Sequence, residues 1–229
     1  MNEINKFDPK SVFRVAFDKA LLAQQPLATK NVARLRRVHP QKSPDQLIRY
    51  LNNWYLGSVS VTGGAAGASA AVPNGVVQLP AAIADLTAYT QISVFYVLQV
   101  AEIQGLHTED EERRRLLVSS ALLGSAASKK ILEKLVGPLA KHWGKNLVQA
   151  IPKAAIQAAN KVLGPRFVTI AGTRMGVLVL GKQVPMMIGA VLGASGNAIF
   201  ASGVIKATKE ILGPGAKVWS EGASEIGNV

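Results

Sequence analysis

Apolar residues recur along this chain at spacings of three and four, the period of a helix with one buried face, while the alternation that marks strands is nearly absent. Turn and cap residues cut the pattern into successive helices. Asp8-Pro9-Lys10-Ser11 opens the first, reaching about Leu22 with Val12, Val15, Ala16 and Ala20 on one face, and Pro26 is expected to break it. An Arg-rich segment from Lys30 to His39 follows and is closed by Pro40. Ser43-Pro44-Asp45-Gln46 then reads as a capping box with proline at the first helical position, starting a helix to about Gly57. Pro80 begins a long helix, Ala81 to about Gln104, ended by Gly105; Thr108 and Glu111 predict a second capping box ahead of Arg113 to Arg115. From Leu116 to Leu163 the apolar period alternates with lysines and is interrupted at Gly137-Pro138, near Gly144 and around Pro152. A last Lys-containing helix ends at Gly213-Pro214-Gly215, and Ala216 to Val229 reads as a frayed tail.

Two intervals carry no charge at all. One runs from Tyr50 through Ala84, with the Gly/Ala/Ser-rich stretch Thr62 to Ser69 at its middle, and the other from Gln183 to Ile205. Small side chains let helix backbones approach closely, so the two intervals are candidate structural counterparts. Only Val184–Ile205 is long and apolar enough for a membrane span, since one needs about 20 mostly apolar residues. Its Gly189-x-x-x-Gly193 spacing suits close contact in lipid, while Asn197 requires an internal partner there. Asp85 places the Ala81–Gln104 helix at an interface or demands a charge partner. Burial of these helices in a soluble bundle accounts for the same pattern.

Composition narrows the chemistry. Of 229 residues, 48% are hydrophobic and 17% charged, so wholesale disorder is excluded. The absence of cysteine excludes disulfides, thiolate nucleophiles and sulfur-ligated metals. The net charge of +12 points to anionic partners. It is unevenly spread: residues 1–60 carry 10 basic and 4 acidic groups, 61–120 carry 3 and 6, 121–180 carry 9 and 1, and 181–229 carry 4 and 3. The opening MNEINKFDPK has neither a basic n-region nor an apolar h-region, so no secretory signal is expected.

Leu79-Pro80-Ala81-Ala82-Ile83-Ala84-Asp85-Leu86, the apolar helix to Val100-Ala101-Glu102-Ile103-Gln104-Gly105 and the acidic turn that follows resemble the central signature of the EcsC family. Val184-Pro185-x-x-Ile188-Gly189-Ala190-x-x-Gly193-x-x-x-Asn197 is similar to that family's second pattern, and the likeness covers about residues 50–210. Gln104 departs from the usual aromatic before the glycine. The resemblance implies a helical bacterial protein, named for a gene beside a transporter pair, with no established catalytic activity.

Candidate sites are few. His39, His107 and His142 share no metal-ligand spacing with carboxylates, Gly63-Gly64-Ala65-Ala66-Gly67 lacks the Lys-Ser/Thr of a phosphate loop, and no nucleophile elbow is present. Asp85 reads first as a cap or a paired carboxylate and Asn197 as an interhelical hydrogen-bond residue. Nucleic acid is disfavoured as a partner, because aromatics do not interleave with the basic residues.

The expectation is an all-α bundle of about seven to nine helices with closely packed Gly/Ala-rich central helices, in or on a membrane. It divides into a basic helical arm (1–42), an EcsC-like helical domain (43–213) and a flexible tail (214–229). Gly63, Gly67, Asp85, Gly105, Gly189, Gly193 and Asn197 are expected to carry packing. Arg34, Arg36, Arg37, Lys129, Lys130 and Lys134 are expected to meet lipid or a partner. The expected role is non-enzymatic, with neither cofactor nor metal: an accessory or assembly protein on the cytoplasmic side of the membrane, bound to a membrane protein complex and anionic lipid, with homo-oligomers open. The alternative is a soluble helical protein with an apolar pocket for a lipid or other hydrophobic ligand, or a hydrolase of unknown type.

Overall fold

The computed structural model describes residues 8–69, 75–106, 110–124, 133–135, 137, 150–161, 164–165, 167–168 and 188–219, giving the backbone course alone for 9, 63–69, 75–82 and 188–197. All regular structure among the described residues is helical: α1 (Pro9–Val38), α2 (Pro44–Ser69), α3 (Gly75–Ile103), α4 (Glu111–Leu123) and α5 (Ile188–Leu212), with a further helical run at 153–161. The most extensive pairings are α1 on α3 and α2 on α5; α2 also packs on α3, and α4 touches α1, α3 and α5. Phe13, Phe17, Leu21, Tyr55, Leu98 and Leu116 are among the fully buried side chains of one continuous core.

The starts of α1 and α2 follow the local chemistry. Asp8 accepts hydrogen bonds from the Lys10 and Ser11 N–H groups at 3.0 and 3.2 Å, with Pro9 at the first helical position. Ser43 and Gln46 close a reciprocal box: Ser43 N–H donates to Gln46 Oε1 at 2.9 Å, and Gln46 N–H to Ser43 Oγ at 3.3 Å. At α4 the cap is Asp110, which accepts from Arg113 N–H at 3.0 Å, and not the expected Thr108, which lies outside the described residues.

Four expected helix limits move. α3 opens at Gly75 rather than at Pro80, so Asp85 stands ten residues inside it, too far from its start to cap it. α1 runs unbroken through Pro26, because Pro26 and Leu22 both lie on its solvent side, where water can take the Leu22 carbonyl that proline cannot satisfy. Ala28, Val32 and Leu35, buried beyond the proline, hold the continuation against the core. Val15, expected on the inner face, is 48% exposed; Phe13 and Phe17 take that place. α2 continues past Gly57 to Ser69, since extending a nucleated helix adds one hydrogen bond per residue and Ala65, Ala66 and Ala68 offset the glycines. α4 ends at Gly124, whose φ of 94° stops the helix where the sequence pattern ran on.

The segment from Gly213 to Trp219 is a strap across the start of α2, in contrast to the expected loose tail. Asp45, whose N–H has no partner within its own helix, donates to the Ala216 carbonyl at 3.1 Å. Lys217 Nζ reaches Asp45 Oδ2 at 3.0 Å, Trp219 Nε1 donates to the Lys42 carbonyl at 3.0 Å, and Gln104 Nε2 donates to the Gly213 carbonyl at 3.2 Å. The hydrogen bond to Lys217 lowers the Asp45 carboxyl below its usual value. The rest of the expected tail, 220–229, lies outside the described residues.

Candidate functional site

With α1 continuous past its proline, residues 15, 19, 22, 26, 30, 34 and 37 fall on one helical stripe. That stripe is turned outward. Val15 and Leu22 are 48% and 60% exposed, and Lys19, Lys30, Arg34 and Arg37 are exposed beside them. Leu27 and Val38 flank the same surface at 49% and 58% exposure. None of these four cations makes an ion pair among the described residues; Arg34 donates only to Asn31 Oδ1 within its own helix, at 3.1 and 3.2 Å. The surface is therefore a basic stripe with apolar side chains interleaved, and the opposite side of α1 is held by the core.

Of the other residues expected to meet lipid, Arg36 turns aside. Its guanidinium carbon lies 4.2 Å from the centroid of the Trp219 ring, so it holds the strap by a cation–π contact. Lys134 is exposed in the short helical run 133–135, and Lys129 and Lys130 lie outside the described residues.

The expected packing residues separate as well. Gly105 does not serve close packing: a methyl group there would meet nothing within 4 Å. Its φ of 72° ends α3 in a Schellman turn, with Gly105 N–H on Glu102 O at 3.0 Å and Leu106 N–H on Ala101 O at 2.9 Å. Gly63 and Gly67 lie on α2, and Gly189, Gly193 and Asn197 on α5, but their packing is outside the described residues. The backbone does fix their level. The contact of Asp45 with Ala216 puts the start of α2 beside the end of α5, so the two helices are antiparallel. At about 1.5 Å per residue, Gly63 lies about 27 Å along α2 from Asp45, and Gly193 about 28 Å along α5 from Leu212. Both glycine-rich intervals thus reach the same end of the pair. Among the described residues no helix is long and apolar enough to cross a membrane, and residues 184–187 of the expected span are not described.

Asp85 belongs to a polar seam between α2 and α3 that the sequence pattern concealed. It is 6% exposed and stands one turn before Tyr89. Ser93 Oγ donates to the Tyr89 carbonyl at 2.7 Å, so its single proton is committed and the Tyr55 hydroxyl, 2.7 Å away, must donate to it. Tyr55 and Tyr96 stack with centroids 4.4 Å apart, and Tyr96 donates to Asn52 Oδ1 at 2.7 Å. The Tyr89 hydroxyl faces Tyr55 and Ser93 without reaching hydrogen-bond geometry. Burial, joined by the Asp85 carboxylate, pushes Tyr89 up to about 12; burial also raises Tyr55 and Tyr96 well above the ordinary phenol. All three are neutral near pH 7, and the bonds of Tyr55 to Ser93 and of Tyr96 to Asn52 register α2 on α3. The signal was present in the sequence, since Tyr89, Ser93 and Tyr96 follow helical spacing within an apolar segment.

No family model, no curated protein and no solved structure matches the chain. Among the described residues, no group of three or more His, Asp or Glu is placed to hold a metal ion.

Proposed function

We propose that this chain is a non-enzymatic accessory or assembly protein that rests on the anionic cytoplasmic surface of a bacterial membrane and there binds a membrane protein complex. The outward stripe of α1 carries the reading: Lys19, Lys30, Arg34 and Arg37 stand exposed with Val15 and Leu22 between them. Basic groups near such a surface contribute about 1 kcal/mol each, so four supply about 4 kcal/mol, or roughly a thousandfold in partitioning. The apolar side chains add shallow burial among the head groups. Kinship with the EcsC family is part of the same proposal, supported by the residues around Asp85 and Asn197. The partner contact is assigned to the glycine-rich end of α2 and α5.

Sedimentation of the full chain with vesicles tests the attachment. Binding is expected to vesicles rich in phosphatidylglycerol, to fall with salt, and to weaken roughly a hundredfold when Lys19, Lys30 and Arg37 are together replaced by Gln. Equal binding to neutral phosphatidylcholine, or no effect of the triple change, would overturn it.

A further inference from the structure

A cavity of about 280 Å³ lies between α1, α4 and Asn160, Gly164, Pro165, Phe167 and Val168. Phe17 and Phe167, each 2% exposed and with centroids 4.6 Å apart, form its floor, and Pro165 and Val168 continue the apolar wall. Its polar groups differ sharply in how far they are already engaged. Arg115 is held by Asp18 at 2.7 Å and by Glu111 at 3.5 Å. Asn160 gives its amide hydrogens to the Glu112 carbonyl and carboxylate at 2.8 and 2.6 Å, and Ser119 donates to the Leu116 carbonyl at 3.2 Å. Arg14 also lines the cavity, is exposed, and its guanidinium makes neither an ion pair nor a hydrogen bond among the described residues.

We infer that this cavity binds a medium-chain monocarboxylate, its head on Arg14 and its hydrocarbon tail against Phe17 and Phe167. One uncommitted guanidinium matches one carboxylate, with which it can form paired hydrogen bonds. A dianion is disfavoured, because the Asp18 carboxylate stands on the same wall. The volume holds about nine groups of water size, which suits a chain of octanoate length and excludes a whole phospholipid. This site uses none of the four cations of the outward α1 stripe, so failure of vesicle attachment would leave it standing.

Calorimetric titration of the full chain with octanoate, octanol, acetate and octyl phosphate tests the assignment. Octanoate is expected to bind at least tenfold tighter than the other three, since octanol lacks the charge, acetate lacks the tail and octyl phosphate adds a charge facing Asp18. Arg14→Gln removes the preference of octanoate over octanol, about tenfold or more, and leaves the helical melt unchanged. Val168→Trp, which fills the wall, weakens octanoate and octanol together. Equal binding of octanoate and octanol, tighter binding of octyl phosphate, a preference that survives Arg14→Gln, or a folded chain that binds no octanoate would each overturn the inference.

Discussion

Gly215 is the point at which the strap passes closest to α2. A methyl group on it would lie 2.6 Å from the Asp45 Cα, 2.8 Å from the Asp45 nitrogen and 2.9 Å from Ile48 Cδ1. Two of these are backbone atoms at the start of a helix fixed by its capping box, so Gly215→Ala must lift the strap rather than displace α2. Lifting it releases the Asp45 N–H from the Ala216 carbonyl, the Trp219 indole from the Lys42 carbonyl, and Arg36 from the indole face. At about 1 kcal/mol for each hydrogen bond and about 0.5–1 kcal/mol for the cation–π contact, the loss is about 2.5–3 kcal/mol. In a chain of this size that lowers Tm by about 5–10 °C. Thermal melts followed by circular dichroism give the loss, and hydrogen exchange at the Asp45 amide shows where it arises. Gly203→Ala is the matched control, because nothing lies within 4 Å of its added methyl and alanine favours an exposed helix position. A Tm for Gly215→Ala within about 2 °C of the parent, with Asp45 still protected, would refute the reasoning.

The buried phenols predict sensitivity to alkali: Tyr55, Tyr89 and Tyr96 are raised in the folded chain, so their contribution is complete below the ordinary phenol value near 10 and is lost as pH climbs toward and past about 12. Unfolding and phenolate absorbance should rise together on alkaline titration, and phenolate appearing at all three in a still-folded chain would contradict this. Gly105→Ala should cost about 1 kcal/mol through backbone strain alone, a drop of about 2–4 °C in Tm, because its methyl meets open space. A larger loss in thermal melts would mean that Gly105 does serve packing.

How much was legible in the sequence varied with the range of the interaction. The caps at Asp8 and Ser43 are contacts across three residues or fewer, and composition and spacing suffice to read them. Pro26 misled for the opposite reason. Its effect depends on whether the orphaned carbonyl faces water, and that follows from which side of α1 meets α3. The outward stripe was hidden by the same error: once the helix was cut at Pro26, Lys19 and Leu22 could not be placed in line with Lys30, Arg34 and Arg37. Arg36 is set apart from its neighbours by Trp219, distant in the chain and folded back beside it.

Periodicity by itself determined that the chain is helical, since a period near 3.6 repeated through most segments admits no other way to gather apolar groups on one side. It likewise determined where the best-capped helices begin. Only the tertiary structure decided which side of α1 is outside, that Gly105 serves a turn rather than a contact, and that Arg14 stands uncommitted beside Phe17 and Phe167. Those outcomes depend on contacts between segments far apart in sequence, whose free energy exceeds local preference and leaves little trace in any single stretch of chain.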